Sequence, residues 1–312
     1  MGVIQTLAFL TALAAPQEEL RGTGWVNSRE LSLDRLRGKV VILFFYEEDC
    51  PRCRGTIPDR IKLRKSMEGK PVVFIAVNSG NPNSAVEGYA KETGLDWPIL
   101  VDERNETEKQ FGFTISLQNI YQVVMIDPAG KAQRISADNT AIANRVQDAL
   151  PSAKMIFDGI TVPAKLQAAA RDIELGLFEP AVGQIAALAQ KPSEDAAKAM
   201  YEKLKPIAEK GLDAAKALQA EGKKYAAYLE FSRVATWLGK TDYEKAATAA
   251  LGELKKDKEI QDELKAQGML TQARGLLASA KKADQANGRA ALDAIRKKYP
   301  DTRAAKEAAA VR

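Results

Sequence analysis

Between Val40 and Tyr46 the chain reads Val-Val-Ile-Leu-Phe-Phe-Tyr with no polar residue. An unbroken β-branched and aromatic run of this length predicts a strand buried on both faces, as in a parallel sheet. A few residues on, Pro51 stands where a first helical turn would begin, and Ile57, Ile61, Leu63 and Met67 keep rough helical spacing up to Gly69. Residues 71–77, Pro-Val-Val-Phe-Ile-Ala-Val, predict a second strand, then a turn rich in Asn, Gly and Pro and a helix over about 84–93. A short strand is predicted at 97–101, a short helix at 106–111 and a strong strand at 120–126. Asp127-Pro128-Ala129-Gly130 then makes a hairpin turn into 131–135.

After Pro151 the strand patterns vanish and Ala, Lys, Glu and Leu dominate; from about Pro163 onward everything reads helical. Tyr225, Tyr228, Leu229, Ala235 and Leu238 recur at helical spacing, Leu238-Gly239-Lys240-Thr241 breaks the run, and Tyr243, Ala246, Ala247, Ala250, Leu251 and Leu254 begin another. Similar breaks fall at Lys191-Pro192-Ser193 and at Tyr299-Pro300-Asp301-Thr302. The pattern predicts helical hairpins and resembles degenerate tetratricopeptide repeats, in which small Ala positions let paired helices approach closely; a plain helical bundle is the alternative.

The start of the chain differs again. Residues 3–15 form an apolar run too short to cross a bilayer, closed by the small-x-small pattern Ala12-Leu13-Ala14 and followed by Gln17-Glu18-Glu19. These features predict a signal peptide at 1–14 cleaved after Ala14, and a periplasmic or secreted mature protein with no integral membrane segment. A domain over 15–152 and an all-helical domain over 163–312 would follow. The opposing reading, a buried N-terminal helix or an uncleaved anchor, rests on the absence of Lys or Arg before the run.

Charge and composition remove whole classes of function. The net charge of +5 sets 46 basic residues against 41 acidic ones, and no aromatic-studded basic stripe suggests nucleic-acid binding. With no histidine in 312 residues, Ser-His-Asp triads and His metal sites are excluded, and two cysteines cannot form a four-thiolate zinc site. Cys50 and Cys53, separated by Pro51-Arg52, must be explained as a pair.

Four stretches occur in a telling order: Leu36-Arg37-Gly38-Lys39-Val40-Val41; Cys50-Pro51-Arg52-Cys53 with Ile57-Pro58 behind it; Val73 through Asn78; and Ile126-Asp127-Pro128-Ala129-Gly130-Lys131. Over roughly residues 25–150 the chain resembles thioredoxin-like proteins of the TlpA/ResA kind, within the AhpC/TSA-redoxin-like part of the thioredoxin superfamily. The resemblance implies an α/β thioredoxin fold ahead of the helical domain, thiol-disulfide exchange on protein thiols or disulfides, and no cofactor beyond the dithiol. It also exposes departures. Glu47, Glu48 and Asp49 stand where relatives carry a Trp before the first cysteine. Tyr121 aligns with their cis-proline, and segment 113–120 is longer than theirs.

The chemistry fits the spacing. A cysteine with pKa near 8.5 is only about 3% ionised at pH 7. Unsatisfied N–H groups and the positive dipole end of a helix would stabilise a thiolate on Cys50. Cys53, one turn behind, can resolve the mixed disulfide and release the partner. Cys50 is therefore expected to be the attacking and more exposed thiol, with Arg52 favouring its thiolate and Glu47, Glu48 and Asp49 opposing it. Two other readings stand beside exchange. One is a redox-inert scaffold in which the thioredoxin fold and the helices, a candidate docking surface, serve protein binding. The other is a peroxidase of the peroxiredoxin type, in which a Thr stands three residues before the reactive cysteine; here that position is Glu47.

Overall fold

The computed structural model describes residues 19–48, 50–116, 119–120, 122–237, 241–277, 279 and 281–311. The expected leader at 1–14 and residues 238–240 of the expected break lie outside the described residues.

The apolar run at 40–46 is the second of six strands: β1 (Gly24–Val26), β2 (Val40–Tyr46), β3 (Val72–Ser79), β4 (Ile99–Asp102), β5 (Val123–Ile126) and β6 (Ala132–Ile135). They form one sheet in the order β1-β4-β3-β2-β5-β6. The strands β2, β3 and β4 run parallel, with Leu43 beside Ile75, while β1, β5 and β6 run antiparallel to their neighbours. Parallel neighbours need crossovers, supplied by α1 (Pro51–Ser66) between β2 and β3 and α2 (Asn83–Thr93) between β3 and β4. A single turn, α3 (Glu106–Gln110), follows β4, and α4 (Asn139–Ala149) follows β6; α1 touches both α2 and α4.

All of β2 is buried, as its sequence demands. Its pleat sends Phe44 and Tyr46 to one side, their rings stacked at 6.1 Å. Phe45 goes to the other side and meets Phe113 edge-on at 4.7 Å and Phe111 at 6.3 Å. The longer segment noticed at 113–120 thus spends Phe113, Ile115 and Ile120 on the core, where all three are buried. Its backbone is held by the buried Glu108 carboxylate, which accepts from the Ile115 N–H at 3.0 Å. The expected strand at 120–126 is regular only from Val123: the Gln122 carbonyl still accepts from the Phe45 N–H, but the Gln122 N–H is spent on the Ile120 carbonyl. The hairpin turn is as expected: the Asp127 carboxylate accepts from Ala129 and Lys131, and Gly130 takes the positive φ of 90° that favours glycine.

Beyond α4 only helices follow: α5 (Gln167–Glu174), α6 (Ala181–Ala189), α7 (Asp195–Ala220), α8 (Lys224–Trp237), α9 (Asp242–Leu254), α10 (Lys258–Leu277), α11 (Lys282–Lys298) and α12 (Arg303–Ala310). Successive helices pack on one another from α6 to α9 and from α10 to α12. Contact faces carry small residues: Ala215, Ala227, Ala247, Ala266, Ala273, Ala304 and Ala308 are fully buried, and a Cβ at Gly211 would stand 2.9 Å from Val234. The break at Tyr299-Pro300-Asp301-Thr302 ends in a capped start: Thr302 accepts from the Ala305 N–H, and the buried Glu263 of α10 accepts from Arg303 and Ala304. No described helix is long and apolar enough to cross a membrane.

The chain divides into two compact units. One comprises Met1–Gly159 with Ala170–Leu177; the other comprises Ile160–Ala169 with Phe178–Arg312. The segment 170–177 is tied to the sheet-bearing unit by packing, with Leu177 in its apolar core and Leu175 against it, and by a buried ion pair. Lys39 enters β2 only 4% exposed, and its ammonium is paired with the Glu174 carboxylate, which also accepts from the Phe157 N–H at 3.0 Å. Removing one partner of a buried pair strands the other charge. Glu174→Ala should therefore destabilise this unit by about 3 to 5 kcal/mol. The double variant Lys39→Met, Glu174→Met should recover most of that loss, both read as shifts in the urea midpoint.

Candidate functional site

The end of β2 and the start of α1 are separated by only four residues, so the strand delivers the cysteine pair directly to a helix N-terminus. Cys50 is the N-cap of α1, extended at φ −88° and ψ 107°, and Pro51 opens the first turn. The Cys50 Sγ turns back over that turn and accepts a hydrogen bond from the Cys53 N–H at 3.3 Å. A sulfur so placed sits against the positive end of the helix, where backbone N–H groups lack intrahelical partners. Both cysteines are free thiols.

The expected contrast in exposure is not found: Cys50 is 2% exposed and Cys53 1%. Capping is the physical reason, since a side chain folded back to reach the Cys53 N–H is turned toward the helix and away from solvent. The side chains of Asp49, Pro51 and Arg52 lie outside the described residues, as does Tyr121. Its expected place beside the cysteines therefore has no structural description.

Burial pushes the Cys53 thiol up to about 12. A backbone hydrogen bond from Glu47 opposes this shift, and the Cys50 thiol and the Glu47 carboxylate add to it.

Sequence reasoning missed the aromatic ground beneath the pair. Tyr46 closes β2 fully buried and stacks on Tyr89 of α2, with centroids 5.3 Å apart and planes 23° apart. The Arg54 guanidinium, one residue past Cys53, lies 5.0 Å from the Tyr89 ring centroid. At the other end the Arg60 guanidinium lies 5.0 Å from the Phe44 ring centroid and bonds Asn139 and the Ala137 carbonyl ahead of α4. Five side chains, Arg54, Tyr89, Tyr46, Phe44 and Arg60, thus form a stack with both cations on α1. Cation–π contacts of this kind contribute about 0.5 to 2 kcal/mol each, and here they fix the helix that carries the cysteines. The spacing of Phe44 and Tyr46 by two marked one face in advance; Tyr89, more than forty residues on by chain count, gave no such signal.

Burial also raises both phenols. Tyr46 goes far above its ordinary value, with Glu48 and Tyr89 adding. Asn78 stands against the Tyr46 hydroxyl without an ordinary hydrogen-bond geometry and draws it partly back. Tyr89 is pushed up to about 12 by burial first and then by Cys53, with Arg54 opposing.

A raised folded-state value means that folding holds the proton more tightly. The stability tied to Cys53 is therefore complete below its ordinary 9.0 and is lost as pH climbs toward about 12. The reduced protein should lose urea resistance across that alkaline window, and Cys53→Ala should flatten the fall without abolishing it, since Tyr46 and Tyr89 act with the same sign. An equal slope in the variant would show that Cys53 is not held as a buried thiol.

With this geometry in view, comparison with known proteins is informative. Residues 13–135 match the model of the AhpC/TSA family. The thiol-disulfide oxidoreductase ResA of Geobacillus thermodenitrificans (strain NG80-2) is 30% identical over 110 residues, covering 35% of this chain and 61% of that one. The ResA protein of Bacillus subtilis (strain 168) is 27% identical over 109 residues, covering 35% and 59%. The chain thus spans less than two thirds of the length of either relative. A solved thiol-disulfide isomerase from Corynebacterium glutamicum is 23% identical, with a TM-score of 0.37, covering 44% of this chain and 97% of that one.

Proposed function

We propose that this chain, whose first unit is an AhpC/TSA-type thioredoxin-like domain, is a thiol-disulfide oxidoreductase that exchanges its Cys50–Cys53 dithiol with thiols or disulfides of other proteins. The carrying observation is the N-cap geometry: the Cys50 Sγ accepts the Cys53 N–H at the first turn of α1. In the reductive direction the Cys50 thiolate attacks a partner disulfide, and one partner sulfur leaves as thiolate. Cys53 then attacks Cys50 in the mixed disulfide, closing the Cys50–Cys53 bond and releasing the second partner sulfur. No further cofactor enters these steps. The oxidative direction is the same sequence reversed. The two ResA relatives, named as thiol-disulfide oxidoreductases, support this chemistry.

Further parts of the reading rest on the sequence. Residues 1–14 serve as a leader cleaved after Ala14, which puts the mature protein in the periplasm or outside the cell. The helical region, expected from 163 onward, supplies partner binding through its hairpins and takes no part in the chemistry. One observation favours the second reading, a redox-inert scaffold: a Cys50 only 2% exposed must be uncovered before a partner disulfide can reach it.

Turnover separates the two. The full chain, with dithiothreitol as reductant, should accelerate insulin reduction, and Cys50→Ser should abolish the acceleration. Cys53→Ser should instead accumulate a mixed disulfide with the partner on Cys50, visible as a dithiothreitol-sensitive mass increase. A wild-type rate equal to the uncatalysed background would leave the scaffold reading standing.

A further inference from the structure

Many charges of the helical unit satisfy one another. Lys198 lies one turn from Asp195, Lys205 from Glu202, Lys245 from Asp242 and Lys258 from Asp262, each pair closed on its own helix. Helix α11 departs from that habit. Between residues 281 and 298 six basic side chains, Lys281, Lys282, Arg289, Arg296, Lys297 and Lys298, stand against two acidic ones, Asp284 and Asp293. Arg296 pairs with Asp293, and Lys298 lies over the Tyr299 ring. Lys281, Lys282, Arg289 and Lys297 are exposed and meet no carboxylate among the described residues.

Packing fixes which way these charges face. Gly288, Leu292 and Ile295 recur at helical spacing and are buried, and a Cβ at Gly288 would stand 3.0 Å from the Ala273 carbonyl oxygen, so α11 is seated closely on α10 by that face. Away from it, Lys282, Arg289 and Arg296 follow one another at intervals of seven, which is two turns, and form a row of about 21 Å along one exposed flank. Lys297 stands beside the end of the row. The exposed apolar positions of the helix, Ala283, Ala286, Ala290 and Ala294, are all alanine. The cations therefore reach furthest into solvent, and nothing apolar is long enough to insert into a partner.

We propose that this face of α11 is a docking surface for a membrane rich in anionic lipid, and that it holds the helical unit at the bilayer surface by charge alone. The proposal goes beyond the exchange reading and does not depend on it. A protein partner would need an aromatic or branched anchor on this face, and single-stranded nucleic acid an aromatic platform; α11 exposes neither. A field of lipid headgroups needs only cations on long flexible stems, which adapt to it without a fixed geometry. Each basic residue brought to such a surface strengthens binding by about fivefold, and the attraction fades over a Debye length of about 10 Å at roughly 0.1 M salt.

The test is co-sedimentation of the full chain with vesicles of phosphatidylcholine containing about one third phosphatidylglycerol, against vesicles of phosphatidylcholine alone. The wild type should pellet with the first and not with the second, and raising the salt from about 50 to about 300 mM should release it. Lys282→Glu, Arg289→Glu and Lys297→Glu combined should weaken binding by at least about tenfold, and the three corresponding Gln substitutions should give a smaller loss in the same direction. Lys203→Glu, Lys210→Glu and Lys255→Glu combined change the net charge equally, at exposed lysines that also lack a carboxylate, and should weaken binding by less than about threefold. Unchanged helical circular dichroism in the triple variants keeps the comparison one of charge. Equal losses from the two Glu triples would make the attraction a matter of net charge and overturn the proposal. Equal pelleting with phosphatidylcholine alone would assign the contact to apolar insertion elsewhere in the chain and overturn it too. A wild type that pellets with neither vesicle overturns it outright, and binding of polyglutamate through the same three residues would then give the face to an acidic polypeptide.

Discussion

The junction between β2 and α1 is the constraint on which the site depends. A strand buried on both faces cannot shift along the sheet without exposing Phe45 on one side or Phe44 and Tyr46 on the other. Its end is therefore a fixed point, and only four residues separate it from α1. At a helix start the backbone leaves N–H groups without partners. Here one of them is met by the Cys50 sulfur, so the cysteine that precedes the helix is also its cap.

That arrangement would be loose if the helix could roll. Arg54 and Arg60 anchor it, each lying over an aromatic ring at one end of the Tyr89, Tyr46 and Phe44 stack, and Arg60 also binds the chain leading into α4. Behind the cysteine turn, burial first and then Cys50 and the Glu47 carboxylate make a negative charge costly for Cys53, while a backbone hydrogen bond from Glu47 opposes this. The two sulfurs of one four-residue motif thus have different environments, one accepting a backbone hydrogen bond at a helix start and one behind it that resists ionisation. Such a division suits a pair in which one thiol attacks partners and the other acts only when called on within the mixed disulfide.

Much of this was legible in the sequence because it rests on local rules. The seven apolar residues of β2, the Pro after Cys50 and the Asp-Pro-Ala-Gly turn each specify their own geometry, and the sequence placed them correctly. The helical half was legible for the same reason, down to the restart after Thr302. What was not legible depends on contacts distant in the chain. The three-residue β1 is too short to show a period and exists because it pairs with β4. Glu174 reads as a helix-end charge until Lys39 is seen facing it from far earlier in the sequence. Nothing near Tyr89 announces that its ring closes a stack begun by Phe44. Even the exposure of Cys50 was misjudged by a local rule, since residues preceding a helix are usually open but capping side chains fold inward.

The central claim is that Cys50 and Cys53 form a reversible redox couple. The most direct measurement is the fraction of Cys50–Cys53 disulfide in the full chain equilibrated across glutathione redox buffers, quenched in acid and read by alkylation and mass spectrometry. Exchange chemistry predicts a single reversible two-electron transition, tenfold in the equilibrium ratio per roughly 30 mV. It should be reached from either the oxidised or the reduced start. A protein that stays a dithiol in every buffer, or whose cysteines carry only glutathione and never join, would contradict it.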